Sequence, residues 1–326
     1  MTMALLTLRR IFTGVVVGST LLMTAGHADE PKVARIGVLV GVESPTEGFL
    51  REGLRELGYI EGKNIVIEWR RFTGGGEELR SLAADLARSK LDVIVAATTA
   101  AGRAALEATA TIPVVFLSGD PVAMGLAASL AKPGRNGTGV SIVSTELFPK
   151  RLEYLHWLAP RARRIAFLTN SSNPIAAPQL AALQKAAPML GVQLVTLDAR
   201  NESEFGMVLG ALRRGEVQGV IVSNDGVFRS NKSKLAQAIR KARLPAIFSY
   251  RAYLEDGMLM SYGPNLKEAG RKMATYVDRI LKGAKPGDLP IEQMSEYELI
   301  INLRVARELG LKVPQDLLLR ADEVIQ

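Results

Sequence analysis

The sequence predicts an α/β protein of two doubly wound parallel-sheet lobes. Three observations predict it. Short β-branched apolar runs alternate with amphipathic helical patterns, the alternation starts afresh near Arg164, and the chain beyond Leu259 is too short for a third domain. Strands buried on both faces and separated by helices form parallel sheets covered on both sides.

In order, Val33–Val40 reads as a near-continuous apolar strand, and Leu50, Leu54 and Leu57 as a helix stripe closed by Gly58. Ile65–Arg71 is the second strand, and Leu79, Leu82, Ala83 and Leu86 mark the second helix. Leu91–Ala97 is a third strand, with a small-residue helix from about Ala100 to Ala108. Pro113–Leu117 and, after a turn at Lys132–Gly137, Val140–Val143 complete the first round. The second round has strands at Arg164–Leu168, Val192–Leu197, Gly219–Ser223 and Pro245–Ser249. Its helices are expected near Ile175–Met189, Glu202–Arg213 and Asn231–Ala242. A short strand at Leu259–Tyr262 precedes a helix carrying Leu266, Ala269, Met273, Tyr276, Val277, Ile280 and Leu281. After the turn-rich Lys285–Pro290 come a strand at Leu299–Ile301 and a helix at Leu303–Leu309. These last pieces are expected to complete the two lobes, so the chain crosses between them about three times. The expected division is 29–144 plus 251–285 for one lobe and 145–250 plus 286–326 for the other.

The first 28 residues read as a cleavable secretory signal. Arg9 and Arg10 precede the apolar run Ile11–Met23, and Gly26 and Ala28 put small residues at the cleavage positions. That run makes about 20 Å of helix, short of a hydrocarbon core of about 30 Å. No later stretch is long and apolar enough to span a bilayer. There is no cysteine, which excludes disulfides, thiol chemistry and a lipid-anchoring Cys behind the apolar run. An unanchored protein of the periplasm is expected. The net charge of +8 is scattered, with no basic block interleaved with aromatics, so nucleic acid is not an expected partner.

Catalytic constellations are missing. His156 is the one histidine beyond the leader; it follows Leu152 by four residues and reads as packing. No zinc site, Cys–His pair, G-x-S-x-G elbow or P-loop lysine is present. No enzyme activity, metal or cofactor is expected. Open parallel sheets bind ligands at the carboxyl ends of their strands, facing helix N-termini that favour anions. The strand-end loops carry Ser44 and Thr46, Thr98 and Thr99, Ser118 and Asp120 in the first lobe, and Asn170 and Asn173, Asp225, and Tyr250 in the second. These ten are the candidate ligand-binding residues. Helix N-capping alone accounts for Thr98, Thr99 and Ser118, and an Asp-Pro turn for Asp120; their concentration in the strand-end loops points to a ligand cleft.

Several segments resemble the periplasmic substrate-binding proteins of ABC importers, whose better-defined relatives bind tryptophan or tyrosine. They are Gly53-Leu54-Arg55-Glu56-Leu57-Gly58-Tyr59 through Gly62-Lys63-Asn64, Asp120-Pro121-Val122, and Lys132-Pro133-Gly134-Arg135-Asn136-Gly137-Thr138-Gly139-Val140. Later come Tyr276 through Pro286, Leu299-Ile300-Ile301-Asn302-Leu303 and Arg320-Ala321-Asp322-Glu323-Val324-Ile325. The resemblance implies a type I periplasmic-binding fold with three crossings and a ligand cleft between the lobes. Thr98, Thr99, Ser118, Asp120, Asn170 and Asn173 match loops that line that cleft, and Asp225 matches the acid that would hold an amino group. Here Asp225-Gly226 stands where those relatives carry Asp-Asn. The implied function is capture of a small molecule by lobe closure and delivery, as a monomer, to an ABC permease in the inner membrane. An extracytoplasmic ligand sensor is the alternative, and neighbouring genes would discriminate the two.

Overall fold

The computed structural model describes residues 33–42, 44–73 and 76–326. The signal read over residues 1–28 lies outside them. The first round runs β1 (Ala34–Gly41), α1 (Thr46–Glu56), β2 (Ile65–Phe72), α2 (Glu77–Arg88), β3 (Val93–Ala96), α3 (Thr99–Ala108), β4 (Val114–Ser118) and β5 (Gly137–Ser141). β1 pairs in parallel with β2 and β3, β3 with β4, and β4 with β5. The apolar run of β1 is continuous because both faces are covered. Ile36 and Val38 pack with Leu50 and Leu54 of α1; Leu39 packs with Leu79, Ala83 and Leu86 of α2. Leu57, expected to extend the α1 stripe, caps the helix instead and is 41% exposed. Gly58, at φ +87°, turns the chain away at that point.

The second round runs α4 (Leu147–Leu158), β6 (Arg164–Thr169), α5 (Ala176–Ala186), β7 (Gln193–Asp198), α6 (Glu202–Arg213), β8 (Gly219–Val222), α7 (Gly226–Ser230), α8 (Lys232–Lys241), β9 (Ala246–Phe248), α9 (Ala252–Glu255) and β10 (Met260–Pro264). The chain then returns through α10 (Leu266–Leu281) and β11 (Glu292–Gln293). It ends with β12 (Tyr297–Asn302), α11 (Leu303–Glu308), α12 (Gln315–Leu318) and β13 (Glu323–Ile325). One sheet has the order β11-β5-β4-β3-β1-β2, the other β13-β12-β10-β9-β8-β6-β7. These are the two expected lobes, joined by three crossings: after β5, after β10 and after β11. β12 runs antiparallel to β10, with Pro264 opposite Tyr297, and β13 follows β12 in parallel. The third crossing delivers the chain back at the end where β10 left, so β12 can only run the other way. In the first crossing, Val143 holds φ +45°, a rare conformation for a β-branched residue.

The lobe boundaries differ from the expected ones in two places. Residues 251–264 were expected in the first lobe, but β10 pairs in parallel with β9, Met260 opposite Ile247. The chain therefore leaves the second sheet only after Pro264. β11 was expected in the second lobe, but it pairs with β5, Glu292 opposite Val140. Both β11 residues are exposed, so no apolar signal marked them. α10 is anchored in the first lobe by close approach to α1. A Cβ on Gly270 would lie 2.5 Å from Phe49 Cβ, and one on Gly53 would lie 2.9 Å from Ala274 Cβ. The two glycines let the backbones touch, so Ala269, Met273, Ala274 and Val277 reach the core beneath β1.

Candidate ligand-binding site

The candidate residues collect at the carboxyl ends of the strands. In the first lobe β3 and β4 are neighbours, so the loops after them meet. Thr98 caps α3, its Oγ1 accepting from Ala101 N at 3.1 Å. Thr99 Oγ1 accepts from Gly119 N at 3.0 Å and shares a hydrogen bond of 3.1 Å with Ser118 Oγ. Ser118 is buried. Asp120 Oδ1 accepts from Ala123 N at 3.0 Å, closing the turn its Asp-Pro sequence suggests. Ser44 is half-buried in the loop after β1 and Thr46 is buried at the start of α1. Among the described residues no side-chain hydrogen bond joins either of them to the other candidates.

In the second lobe the candidates form one cluster. Asp225 caps α7, Oδ1 accepting from Val227 N at 2.8 Å. The same oxygen accepts from Asn170 Nδ2 at 3.0 Å, and Oδ2 accepts from Asn173 Nδ2 at 2.9 Å. Asn170 Oδ1 in turn accepts from Ser172 N at 3.0 Å. The carboxylate thus orders the loop after β6 from the loop after β8. Asn224 Nδ2 donates to the Tyr250 hydroxyl at 2.6 Å, tying the loop after β8 to that after β9. Burial pushes the Tyr250 phenol up, with the Arg229 and Arg151 guanidiniums pulling it down.

The two loop sets meet through α7. A Cβ on Gly226 would lie 3.9 Å from the carbonyl oxygen of Thr73, just past β2, and one on Gly41, at the end of β1, would lie 3.8 Å from Arg229 Nη1. Arg229 is half-buried and forms no ion pair among the described residues. It stands one helical turn after Asp225, a spacing at which such pairs commonly form, yet Asp225 is turned toward Asn170 and Asn173 instead. Arg229 is not among the candidates read from the sequence. Its i+4 offset from Asp225 was the only local signal, and that signal pointed to a pair that does not form. His156 lies half-buried within α4, and the described residues contain no group of three or more His, Cys, Asp or Glu able to hold a metal ion.

With this geometry, residues 35–325 match the family described as ABC transporter substrate binding protein. The chain belongs to that family. It is a family of solute-binding proteins rather than enzymes, and the two-lobed fold is the one expected of it. A "Tyrosine-binding protein" of Clostridioides difficile (strain R20291) is 29% identical over 280 residues, 84% of this chain and 80% of that protein. Among solved structures, "the ABC domain in complex with L-Trp from Streptococcus pneumonia" superposes with a TM-score of 0.82 at 26% identity, covering 90% of this chain and 99% of that one. A ligand-free, open structure of a substrate binding protein with adhesive properties from Clostridium difficile gives 0.63 at 27% identity, covering 90% and 100%. No described helix is long and apolar enough to cross a membrane.

Proposed function

We propose that the chain is the exported, unanchored solute-binding component of an ABC importer, working as a monomer in the periplasm and handing its cargo to the permease. The observation that carries this reading is the meeting of α7 with the carboxyl ends of β1 and β2, with polar clusters on both lobes. A small molecule held there by Ser44, Thr46, Thr98, Thr99, Ser118 and Asp120 from one side and by Asn170, Asn173, Asp225 and Tyr250 from the other would favour the closed arrangement, because only that form offers both sets of contacts. The higher TM-score against the L-Trp complex than against the open, ligand-free relative supports reading the present arrangement as closed. Arg229 adds a cation at the junction, suited to a carboxylate, and the relatives that bind tyrosine and L-Trp make aromatic amino acids the first cargo to test.

The test is calorimetric titration of the chain lacking residues 1–28 with L-tyrosine, L-tryptophan, their deaminated acids and neutral sugars, with small-angle scattering on the same samples. Saturable binding of one class with a smaller radius of gyration is expected. Binding without compaction would refute closure, and no binding across the panel would refute the cargo class.

A further inference from the structure

The second lobe buries a cation with nothing beside it to balance the charge. Arg151, in α4, is 1% exposed. Its Nε donates to the Tyr262 carbonyl at 2.7 Å, and its guanidinium stacks 4.4 Å from the Phe148 ring centroid. Nη1 is buried without a partner. No carboxylate pairs with it among the described residues, and the titratable groups facing it are the phenols of Tyr250 and Tyr262. Burial pushes the guanidinium down to about 10, which marks how poorly the charge is compensated.

Three hydroxyls of the same lobe are orphaned too. Thr169, Ser223 and Ser249 are 3%, 4% and 3% exposed, and none of their Oγ atoms has a partner. They form a row across the sheet. Leu168 pairs with Val222, so Thr169 comes level with Ser223; Ile221 pairs with Ile247, so Ser223 comes level with Ser249. Ser261 pairs with Phe248, which brings Tyr262, the residue Arg151 grips, level with Ser249. Two residues earlier on each strand, Phe167, Ile221 and Ile247 share a core with Phe148 and Leu152 of α4. By strand alternation the hydroxyls therefore leave the sheet on the face α4 covers.

We propose that Arg151, Ser249 and Ser223 form a buried site for a small monovalent anion of the size and charge of chloride. Water would satisfy the hydroxyls but leave the guanidinium uncompensated. An anion accepts from every donor in the group, and among the described residues no carboxylate pairs with Arg151 to compete with it. Ser223 and Ser249 immediately precede Asn224 and Tyr250, so the anion lies one layer beneath the second lobe's ligand-facing loops. Tyr250, one of the cargo contacts, also faces Arg151, so the bromide titration is run without cargo.

The test uses the mature chain purified in sodium gluconate, titrated with sodium bromide at constant ionic strength and followed by thermal melting, together with bromide-soaked crystals measured for anomalous scattering. A saturable rise in Tm of roughly 5 °C is expected, with an anomalous peak at hydrogen-bonding distance from Arg151 Nη1 and Ser249 Oγ. Arg151→Gln should abolish the rise. The combined Ser223→Ala, Ser249→Ala variant, which removes only two unpartnered hydroxyls, should raise the midpoint bromide concentration about tenfold. It decides the matter if Arg151→Gln does not fold. A bromide-independent Tm, a water without anomalous signal at that position, or a peak with no effect on Tm, which is an adventitious ion only, would each overturn the proposal.

Discussion

Removing the Asp225 carboxylate separates a structural clamp from a simple ligand contact. Asp225→Ala deletes three acceptor interactions at once: the amides of Asn170 and Asn173 and the N-cap of α7. A hydrogen bond to a charged acceptor contributes about 1.5 kcal/mol at the low end of its range, and a helix N-cap about 1 kcal/mol. Asn170 is 7% exposed, so little water is available to replace the lost partner. The expected loss is about 4 kcal/mol, which for a chain of this size lowers Tm by roughly 10 °C. Asp120→Ala, which frees a single backbone amide at a half-buried turn, should cost about 1 kcal/mol. Calorimetric melting of both variants without ligand is the assay. An Asp225→Ala protein melting within about 2 °C of the parent would refute the clamp and leave Asp225 as a ligand contact alone.

Other outcomes rest on the same geometry. Arg229→Gln should leave Tm nearly unchanged, since the side chain holds no ion pair among the described residues, yet weaken a carboxylate-bearing ligand about tenfold or more in titration calorimetry. Gly270→Ala should cost about 1–3 kcal/mol in denaturant unfolding, because its Cβ would meet Phe49 at 2.5 Å; Gly48→Ala, in open space on α1, should stabilise by about 0.5–1 kcal/mol. The Tyr59 phenol is raised to about 12, by burial first and then by its 3.0 Å hydrogen bond to Asp278. The folded chain holds that proton more tightly than the unfolded one, so the stability present below pH 10 should drain away as pH climbs toward 12. Tyr59→Phe should flatten that alkaline limb in pH-resolved melts.

The strands were legible because doubly covered sheets leave unbroken apolar runs: Val33–Val40 became β1 and Gly219–Ser223 became β8. β11 and β13 were not, since two exposed residues or three half-exposed ones that pair by backbone alone leave no apolar pattern. The candidate loops were legible one by one from strand ends, but their couplings were not. Asn170 and Asn173 meet Asp225 across more than fifty residues of sequence, and the approach of Arg229 to Gly41 crosses between lobes. Arg151 was missed for another reason: a lone arginine in an amphipathic stretch reads as surface, and only the packed α4 reveals it as core.

One ligand engaging the strand-end loops of both lobes together is the core of the capture mechanism. Hydrogen-exchange mass spectrometry with and without the cargo found by titration tests it most directly. Simultaneous protection of residues 97–99 and 118–120 in the first lobe and 170–173, 223–229 and 249–250 in the second is expected. No change is expected around the depression lined by Ile239, Arg243, Met258 and Leu309, at the opposite ends of β9 and β10. Protection confined to one lobe, or centred on that depression, would contradict it.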